Sequence, residues 1–243
     1  MKHPVSRRTR FKQPIPAVVA ALLLGILCQP ASAQEDTGTG SKLKFNSLPK
    51  PSGFFPEVKG ARRAGPEDKD AMKLRTLSPK NGAPATISTR PRLFWYQSKP
   101  SDGNLVVVLR DRNTRRIDPS ILVRDALSAG TQALDLPSEI ELKPGEIYIW
   151  TITYKPSPNI LEDVVARGEI FVMNEAGKLR AEAEKLEAGE PRILFYASNG
   201  AWYDVLREIQ DLRQKNSEIS EELQSLWEEV LKQGGISGED TEP

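Results

Sequence analysis

Four acidic residues are the first candidates for chemistry, because Asp111, Asp135, Glu162 and Asp163 lie at the ends of apolar runs or in loops between them. Paired carboxylates hydrolyse glycosidic bonds when one acts as the acid and the other as base or nucleophile at a fixed separation. The spacing of these four residues shows no such pair. A carboxylate-based hydrolase is therefore the third of three functional hypotheses, and a solvated surface is the favoured interpretation of the four side chains.

A second candidate is the Ser-x-x-Lys spacing of serine acylating enzymes, which occurs at Ser47 and Lys50. That chemistry needs a helix to align the two side chains, and it needs further partner motifs. Pro49 and the polar residues around it argue against a helix there. We therefore do not interpret Ser47 and Lys50 as catalytic.

Histidine and cysteine occur once each, as His3 and Cys28, and both lie in a segment that resembles an export signal. Without that segment the chain has no imidazole base, no thiol nucleophile and no partner for a disulfide. Ligand sets that rest on cysteine or histidine are excluded as well. We expect no catalytic residues, no metal site and no cofactor, and thus a protein that is not an enzyme.

The export signal is predicted over residues 1–33. Five basic residues precede the apolar run Ala17–Leu27, and Ala31–Ala33 has the small-x-small pattern of a cleavage site. The run has 11 residues, well short of the roughly 20 that a spanning helix needs. We expect cleavage near Ala33, a periplasmic or extracellular protein, and no transmembrane segment in the mature chain. The choice between general secretion and twin-arginine export stays open.

The charge balance excludes a basic nucleic-acid-binding domain. The whole chain carries 34 basic and 33 acidic residues, a net charge of +1. Removing residues 1–33, which contain five basic and no acidic side chains, leaves 29 against 33, a net charge of −4. A chain with this net charge has no excess of basic residues to bind a phosphate backbone and release its counterions. The expected partner is an unknown envelope or secreted protein, with polysaccharide as the alternative.

Composition divides the mature chain into four parts. Residues 34–83 are rich in Pro, Gly and mixed charge, so they are predicted to be a flexible tether, and whether they dock on the folded domain stays open. Residues 84–173 are predicted to form a β-sandwich and residues 174–236 a helical cap. Residues 237–243 are predicted to be a disordered tail.

Short runs of β-branched and aromatic residues between turn residues predict the sheet region. The runs are 85–88, 91–97, 104–110, 131–136, 147–155 and 168–173, with a weaker one at 120–124. In the clearest alternation, Tyr148, Trp150, Ile152 and Tyr154 share one face, which we place in the core.

Helical spacing predicts four helices after Met173. They cover about 175–187, 191–198 and 201–215, and a fourth begins at Ser217 or Ser220 and ends at Gly234-Gly235. Asn174 is the predicted N-terminal cap of the first.

The stretch Leu142–Trp150 resembles the corner of immunoglobulin-like and fibronectin-like sandwiches, in which a Tyr six residues after a Leu packs back across a turn. The resemblance implies that the Tyr148 hydroxyl meets main chain near the turn. The predicted fold is therefore α+β in two segregated parts, an immunoglobulin/fibronectin-like antiparallel β-sandwich followed by the helical cap.

A longer set of motifs runs through Arg62-Arg63, Leu77–Pro79, Pro91–Tyr96, Leu142–Trp150, Ala197–Asp204 and Trp227–Ile236. In these motifs the chain resembles domain-of-unknown-function family 928. The resemblance implies an exported protein of unassigned activity. It supplies no functional residues.

Two groups of aromatic residues are the candidate binding sites. Trp202, Tyr203 and Trp227 on the predicted helices are the candidate partner-binding residues, and Trp95 with Tyr96 is the candidate glycan-stacking pair. The first hypothesis is a non-enzymatic interaction module of an envelope or secreted assembly. The alternative is a glycan-binding β-sandwich module. For both groups, burial in the core is the competing interpretation.

Overall fold

Strands and helices are both present in the computed structural model, which describes residues 43–48, 58–62, 72–114, 121–123, 125–215 and 221–236. The strands in these ranges are Val58–Arg62 (β1), Leu74–Thr76 (β2), Ala85–Thr86 (β3), Arg92–Gln97 (β4), Leu105–Asp111 (β5), Ile121–Val123 (β6), Gly130–Asp135 (β7), Ile147–Tyr154 (β8) and Val164–Val172 (β9). The helices are Ala176–Ala183 (α1), Glu190–Ser198 (α2), Trp202–Lys215 (α3) and Glu221–Gln233 (α4). The fold is therefore α+β, and all seven predicted strands and all four predicted helices are present.

The described strands form two sheets. The larger has six strands, in the order β1-β9-β8-β5-β6, and β3 pairs in parallel with the end of β9. The smaller has three antiparallel strands in the order β2-β4-β7. β9 is the longest strand, and it joins β8 on one edge to β1 and β3 on the other.

Alternating burial in the larger sheet follows the predicted period of two. Tyr148, Trp150 and Ile152 on β8 are buried as predicted, and Tyr154 is half-buried. β5 alternates in the same way, with every second residue from Leu105 buried. One face of this sheet therefore belongs to the core.

Strand β4 is buried on both faces, since every residue from Leu93 to Gln97 is inaccessible. Arg92 and Phe94 share one face of the strand. On that face Arg92 Nη1 lies 2.7 Å from Asp211 Oδ1 of α3. The Phe94 ring lies 6.1 Å from the Trp227 ring of α4. The helices thus cover this face of the smaller sheet, and sheets and helices share one apolar core.

The two long helices each bury one face. Val205, Leu206 and Ile209 of α3 are fully buried, and Trp227, Val230 and Leu231 of α4 lie inward. Gly235 ends α4 with φ of +77°, and the Ile236 N–H donates to the Leu231 carbonyl in a C-terminal cap. The predicted cap of α1 is wrong: Glu175 occupies the N-cap position, and no side chain bonds there.

The predicted tether over residues 34–83 is wrong for the parts that the structure describes. This range contains β1 and β2, and Leu43, Phe45, Leu74 and Leu77 are buried. Each of these apolar residues stands among polar neighbours, and its burial comes from elements distant in sequence. Contacts of this kind cannot be predicted from local composition. The predicted signal, the rest of the predicted tether and the predicted tail lie outside the described residues.

The predicted contact of the Tyr148 hydroxyl with main chain near the turn is confirmed. The backbone N–H of Lys143 donates to the Tyr148 hydroxyl over 3.0 Å. The ring is buried, with 4% of the residue exposed. This bond ties the turn before β8 to the strand itself.

Candidate functional site

The glycan-stacking pair predicted at Trp95 and Tyr96 is not accessible. The two residues are exposed by only 1% and 2%. Period two places them on opposite faces of β4, and both faces are covered. Trp95 also donates its indole N–H to Gln97 Oε1 over 3.1 Å inside the core. The prediction of a stacking platform is wrong for this pair.

The partner-binding residues predicted on the helices are also interior. Trp202, Tyr203 and Trp227 are exposed by 0%, 0% and 5%. Their helical spacing places them on the same stripes as the other buried residues of α3 and α4. The prediction that they form an accessible surface is wrong. Their positions nevertheless show what holds the helices to the rest of the protein.

Tyr203 is the central hydrogen-bonding residue between helix and sheet. Its hydroxyl donates to the Glu169 carbonyl over 2.8 Å and accepts from the Trp150 indole N–H over 3.3 Å. The Ser78 hydroxyl lies 3.0 Å away. Burial raises the pKa of Tyr203 to about 12, so the phenol stays neutral. These bonds link the first turn of α3 to β8 and β9.

Asp204 is a buried carboxylate on the first turn of α3. Its Oδ2 accepts from the Ile87 backbone N–H over 2.9 Å, just beyond β3. Burial raises the pKa of Asp204 to about 6, although hydrogen bonds from Ile87 and Thr86 and the charge of Arg207 act in the opposite direction. The side chain fixes the start of α3 against β3, and its charge state changes in mildly acidic solution.

Two of the predicted surface carboxylates are buried. Asp111 is 7% exposed and Asp163 is 4% exposed, so the interpretation of a solvated surface is wrong for both. Asp111 Oδ1 accepts from the backbone N–H groups of Asn113 and Thr114 over 2.8 and 3.0 Å. This is the local bonding of a turn.

The other two carboxylates bind neighbouring side chains. Asp135 receives two 2.9 Å hydrogen bonds from the Arg92 guanidinium. Glu162 accepts from Ser157 Oγ over 2.8 Å and from Asn159 Nδ2 over 3.1 Å. Among the described residues, no three or more Asp, Glu, His or Cys side chains lie together in a way that could hold a metal ion.

An extended piece of the same chain, residues 43–48, which we call the docked segment, packs against the ends of three helices at a site that we call the helical groove. Leu43 and Phe45 are buried, whereas Lys44 and Asn46 are exposed. This alternation is that of an extended strand with one face against a surface. The helical groove has three sides, given by the C-terminus of α2, the start of α3 and the C-terminus of α4.

Gln233 binds the main chain of the docked segment at two points. Its Oε1 accepts from the Phe45 N–H over 2.7 Å, and its Nε2 donates to the Leu43 carbonyl over 2.9 Å. Nε2 also donates to Glu229 Oε1 over 2.8 Å, which orients the amide. The carboxamide thus acts as a neighbouring strand would, because it pairs with both the donor and the acceptor of an extended backbone.

Trp202 forms the floor of the helical groove. The Phe45 ring packs against it at 5.4 Å with the two planes at 88°, an edge-to-face arrangement that aromatic pairs favour. The indole N–H donates to the Leu77 carbonyl over 2.8 Å. A Cβ added to Gly234 would meet the opposite part of the ring. These two contacts fix the orientation of the Trp202 ring.

The C-terminus of α2 forms the third side. The Asn46 N–H donates to the Ala197 carbonyl over 2.9 Å, and Asn46 Nδ2 donates to the Ser198 carbonyl over 3.2 Å. The last carbonyls of a helix need partners outside it. Gly200, with φ of +71°, follows, and a Cβ there would lie 2.6 Å from the main-chain carbonyl oxygen of Asn46. A glycine at this position lets the docked segment approach the turn closely.

Sequence reasoning missed the helical groove, because it looked for exposed aromatic residues. Two features do point to it: an aliphatic and an aromatic residue two apart in polar surroundings, at Leu43 and Phe45, and the glutamine just before Gly234-Gly235. Trp202, one of the predicted partner-binding residues, contacts the docked segment through the Phe45 ring. Its partner is a segment of the same chain.

Comparison with known families gives one finding. The model of the family described as Domain of Unknown Function (DUF928) matches residues 58–243. No curated protein and no solved structure matches the chain. The match begins at β1, after the docked segment.

Proposed function

This chain belongs to the DUF928 family, and we propose that it acts as a non-enzymatic interaction module of an envelope or secreted assembly. The docking site in this proposal is the helical groove. The observation that carries it is the Gln233 carboxamide, which binds the backbone of an extended segment whose Phe45 ring rests on Trp202. Main-chain pairing combined with burial of alternate side chains is also how extended peptides bind to protein surfaces.

Export is part of the proposal. It rests on the basic residues, apolar run and cleavage pattern of residues 1–33. Within the described residues, no helix is both long enough and apolar enough to cross a membrane. Removal of residues 1–33 would leave the docked segment near the new N-terminus.

The finer description of the fold is also a proposal: an immunoglobulin-like or fibronectin-like sandwich that supports a helical cap. The hydrogen bond from Lys143 to the Tyr148 hydroxyl supports it. In this arrangement the sheets are the scaffold, and the helices provide the contact surface. The scaffold role agrees with the burial of Trp95 and Tyr96 in β4.

Site-directed photo-cross-linking in the native host tests the docking site. A photoreactive residue replaces Ser198 or Lys232, two exposed positions beside the groove residues Ala197 and Gln233. The matched control replaces Leu122 of β6, which is 47% exposed on the sheet. We expect adducts with the same partner protein at both helical positions and none at Leu122. Adducts at Leu122 alone, or at none of the three, would contradict the proposal.

A further inference from the structure

We propose that the helical groove recognises an extended peptide of a partner protein with an aliphatic residue two positions before an aromatic one, and that the docked segment Leu43–Leu48 is its intramolecular competitor. This inference rests on the proposed function and gives the chemistry of the partner. It also assigns a regulatory role to the docked segment, which must leave before the partner binds.

The main-chain contacts accept any extended peptide. Gln233 binds the N–H of Phe45 and the carbonyl of Leu43, and the Ala197 carbonyl accepts from the N–H of Asn46. None of these bonds involves a side chain of the docked segment. A foreign backbone in the same conformation could make all three, as strands added to a sheet edge do.

The side-chain contacts give the pattern. Leu43 and Phe45 are 6% and 7% exposed, while Lys44 between them is exposed. Two buried positions separated by one exposed position match the period of an extended chain. The Phe45 ring meets the Trp202 ring edge-to-face, a geometry specific to aromatic side chains. A partner therefore needs an aromatic residue at the second buried position.

Among the described residues, the docked segment has main-chain hydrogen bonds at separate points and is not paired with a strand of either sheet. It bonds through Gln233, Ala197 and Ser198, and the Leu48 carbonyl accepts from the Ala83 N–H over 2.8 Å. A central strand such as β8 is paired along its whole length on both sides. A peripheral segment of this kind opens at a lower free energy than the whole protein unfolds.

Covalent linkage makes the competition strong. Nine residues, 49–57, connect the docked segment to β1. A short connection holds a ligand at an effective concentration on the order of millimolar. A free peptide of the same sequence therefore binds the wild-type chain weakly, and it binds tightly once the docked segment is weakened.

Fluorescence anisotropy with a labelled peptide of the sequence of residues 41–50 tests this. The full chain with Leu43→Ala and Phe45→Ala should bind the peptide on the order of tenfold or more tighter than the wild-type chain does. A peptide with alanine at the position of Phe45 should not bind. The matched control, a chain with alanine at the exposed Leu122 and Ile160, should behave as wild type. Equal binding of both peptides, or no gain in the groove variant, would overturn the inference.

Amide hydrogen exchange of the wild-type chain needs no variant. The N–H groups of Phe45 and Asn46 should exchange through an opening that leaves the amides of β8 protected. Exchange of both groups only upon global unfolding would overturn the inference, because the docked segment could not then leave a folded groove.

Two further results separate this inference from the proposed function. If cross-links form at Ser198 and Lys232 but the labelled peptide does not bind, the proposed function as an interaction module is supported and the peptide-recognition inference is wrong. Self-association of the wild-type chain that is lost with Phe45→Ala would identify the occupant as a second copy, and would overturn the foreign partner.

Discussion

The Phe45 ring lies edge-to-face on the Trp202 ring, with centroids 5.4 Å apart. The two residues lie far apart in the sequence, and their contact joins the docked segment to the start of α3. Trp202 is fully buried, and Phe45 is part of what covers it. The same pair therefore contributes both to stability and to the proposed docking site.

Loss of the Phe45 ring should destabilise the protein. We expect Phe45→Ala to lower the free energy of unfolding by about 3 kcal/mol, because a buried aromatic ring is removed from a preformed site. Chemical denaturation monitored by circular dichroism measures this. Lys44→Ala, at the exposed neighbouring residue, should change the value by no more than about 0.5 kcal/mol. Equal effects of the two substitutions would contradict the burial of Phe45.

Gln233→Ala should release the docked segment without removing an apolar contact. The expected cost is about 1–3 kcal/mol, because the Phe45 N–H and the Leu43 carbonyl lose their partner. The Phe45 amide should exchange faster with solvent, as measured by NMR. Gln214→Ala at an exposed position of α3 is the matched control and should leave that rate unchanged. An unchanged rate in both variants would show that Gln233 does not hold the segment.

The buried Asp204 should make stability depend on pH. Its folded-state pKa, raised by burial to about 6 from 3.8, lies above the unfolded value. The folded state therefore binds the proton more tightly. This contribution is fully present below pH 3.8 and is lost as pH rises through about 6, and it amounts to about 3 kcal/mol. Asp204→Asn should remove that fall in stability, as measured by denaturation between pH 4 and pH 7.

Asp135 is the matched control for this pH dependence of stability. Burial alone would raise its pKa, but hydrogen bonds from Arg92 outweigh that effect and lower the pKa below 3.8. The stability from this group is thus present above pH 3.8 and lost as pH falls further. Asp135→Asn should leave the fall between pH 4 and pH 6 intact. The attribution of this pH dependence to Asp204 would be contradicted by either of two results. One is a free energy of unfolding that no longer falls between pH 4 and pH 6 in Asp135→Asn, and the other is one that still falls in Asp204→Asn.

Two tyrosine hydroxyls can be compared directly. Tyr203→Phe removes a hydroxyl that bonds to the Glu169 carbonyl and the Trp150 indole and lies near Ser78, so we expect a cost of about 2–3 kcal/mol. Tyr148→Phe removes one bond, from the Lys143 N–H, and should cost about 1 kcal/mol. Thermal unfolding of the two variants shows which substitution costs more stability. The reverse order would show that Tyr203 is not the central link between helix and sheet.

Much of the fold could be predicted from local periodicity. The alternation of β8 and the stripes of α3 and α4 involve residues close in sequence, so the pattern itself carries the information. The Tyr148 contact was predicted from the resemblance of Leu142–Trp150 to a sandwich corner, and it too joins residues close in sequence. Family membership was also predictable, from motifs spread along the same region.

The docked segment and strands β1 and β2 could not be predicted in this way. Leu43 and Phe45 are two apolar residues in a polar stretch, and their burial depends on Trp202 and Gln233 far along the chain. The same limit explains the errors at Trp202 and Trp227. Periodicity identifies an inward face, but it does not say whether a large ring on that face stays available to a partner.

The most direct test of the docking site is a crystal structure of the full chain with Leu43→Ala and Phe45→Ala, bound to the peptide of residues 41–50. The account predicts that the phenyl ring of the peptide lies on Trp202 and that the Gln233 carboxamide binds the peptide backbone. A groove that still holds the chain's own residues 43–48, or a peptide bound elsewhere, would contradict it.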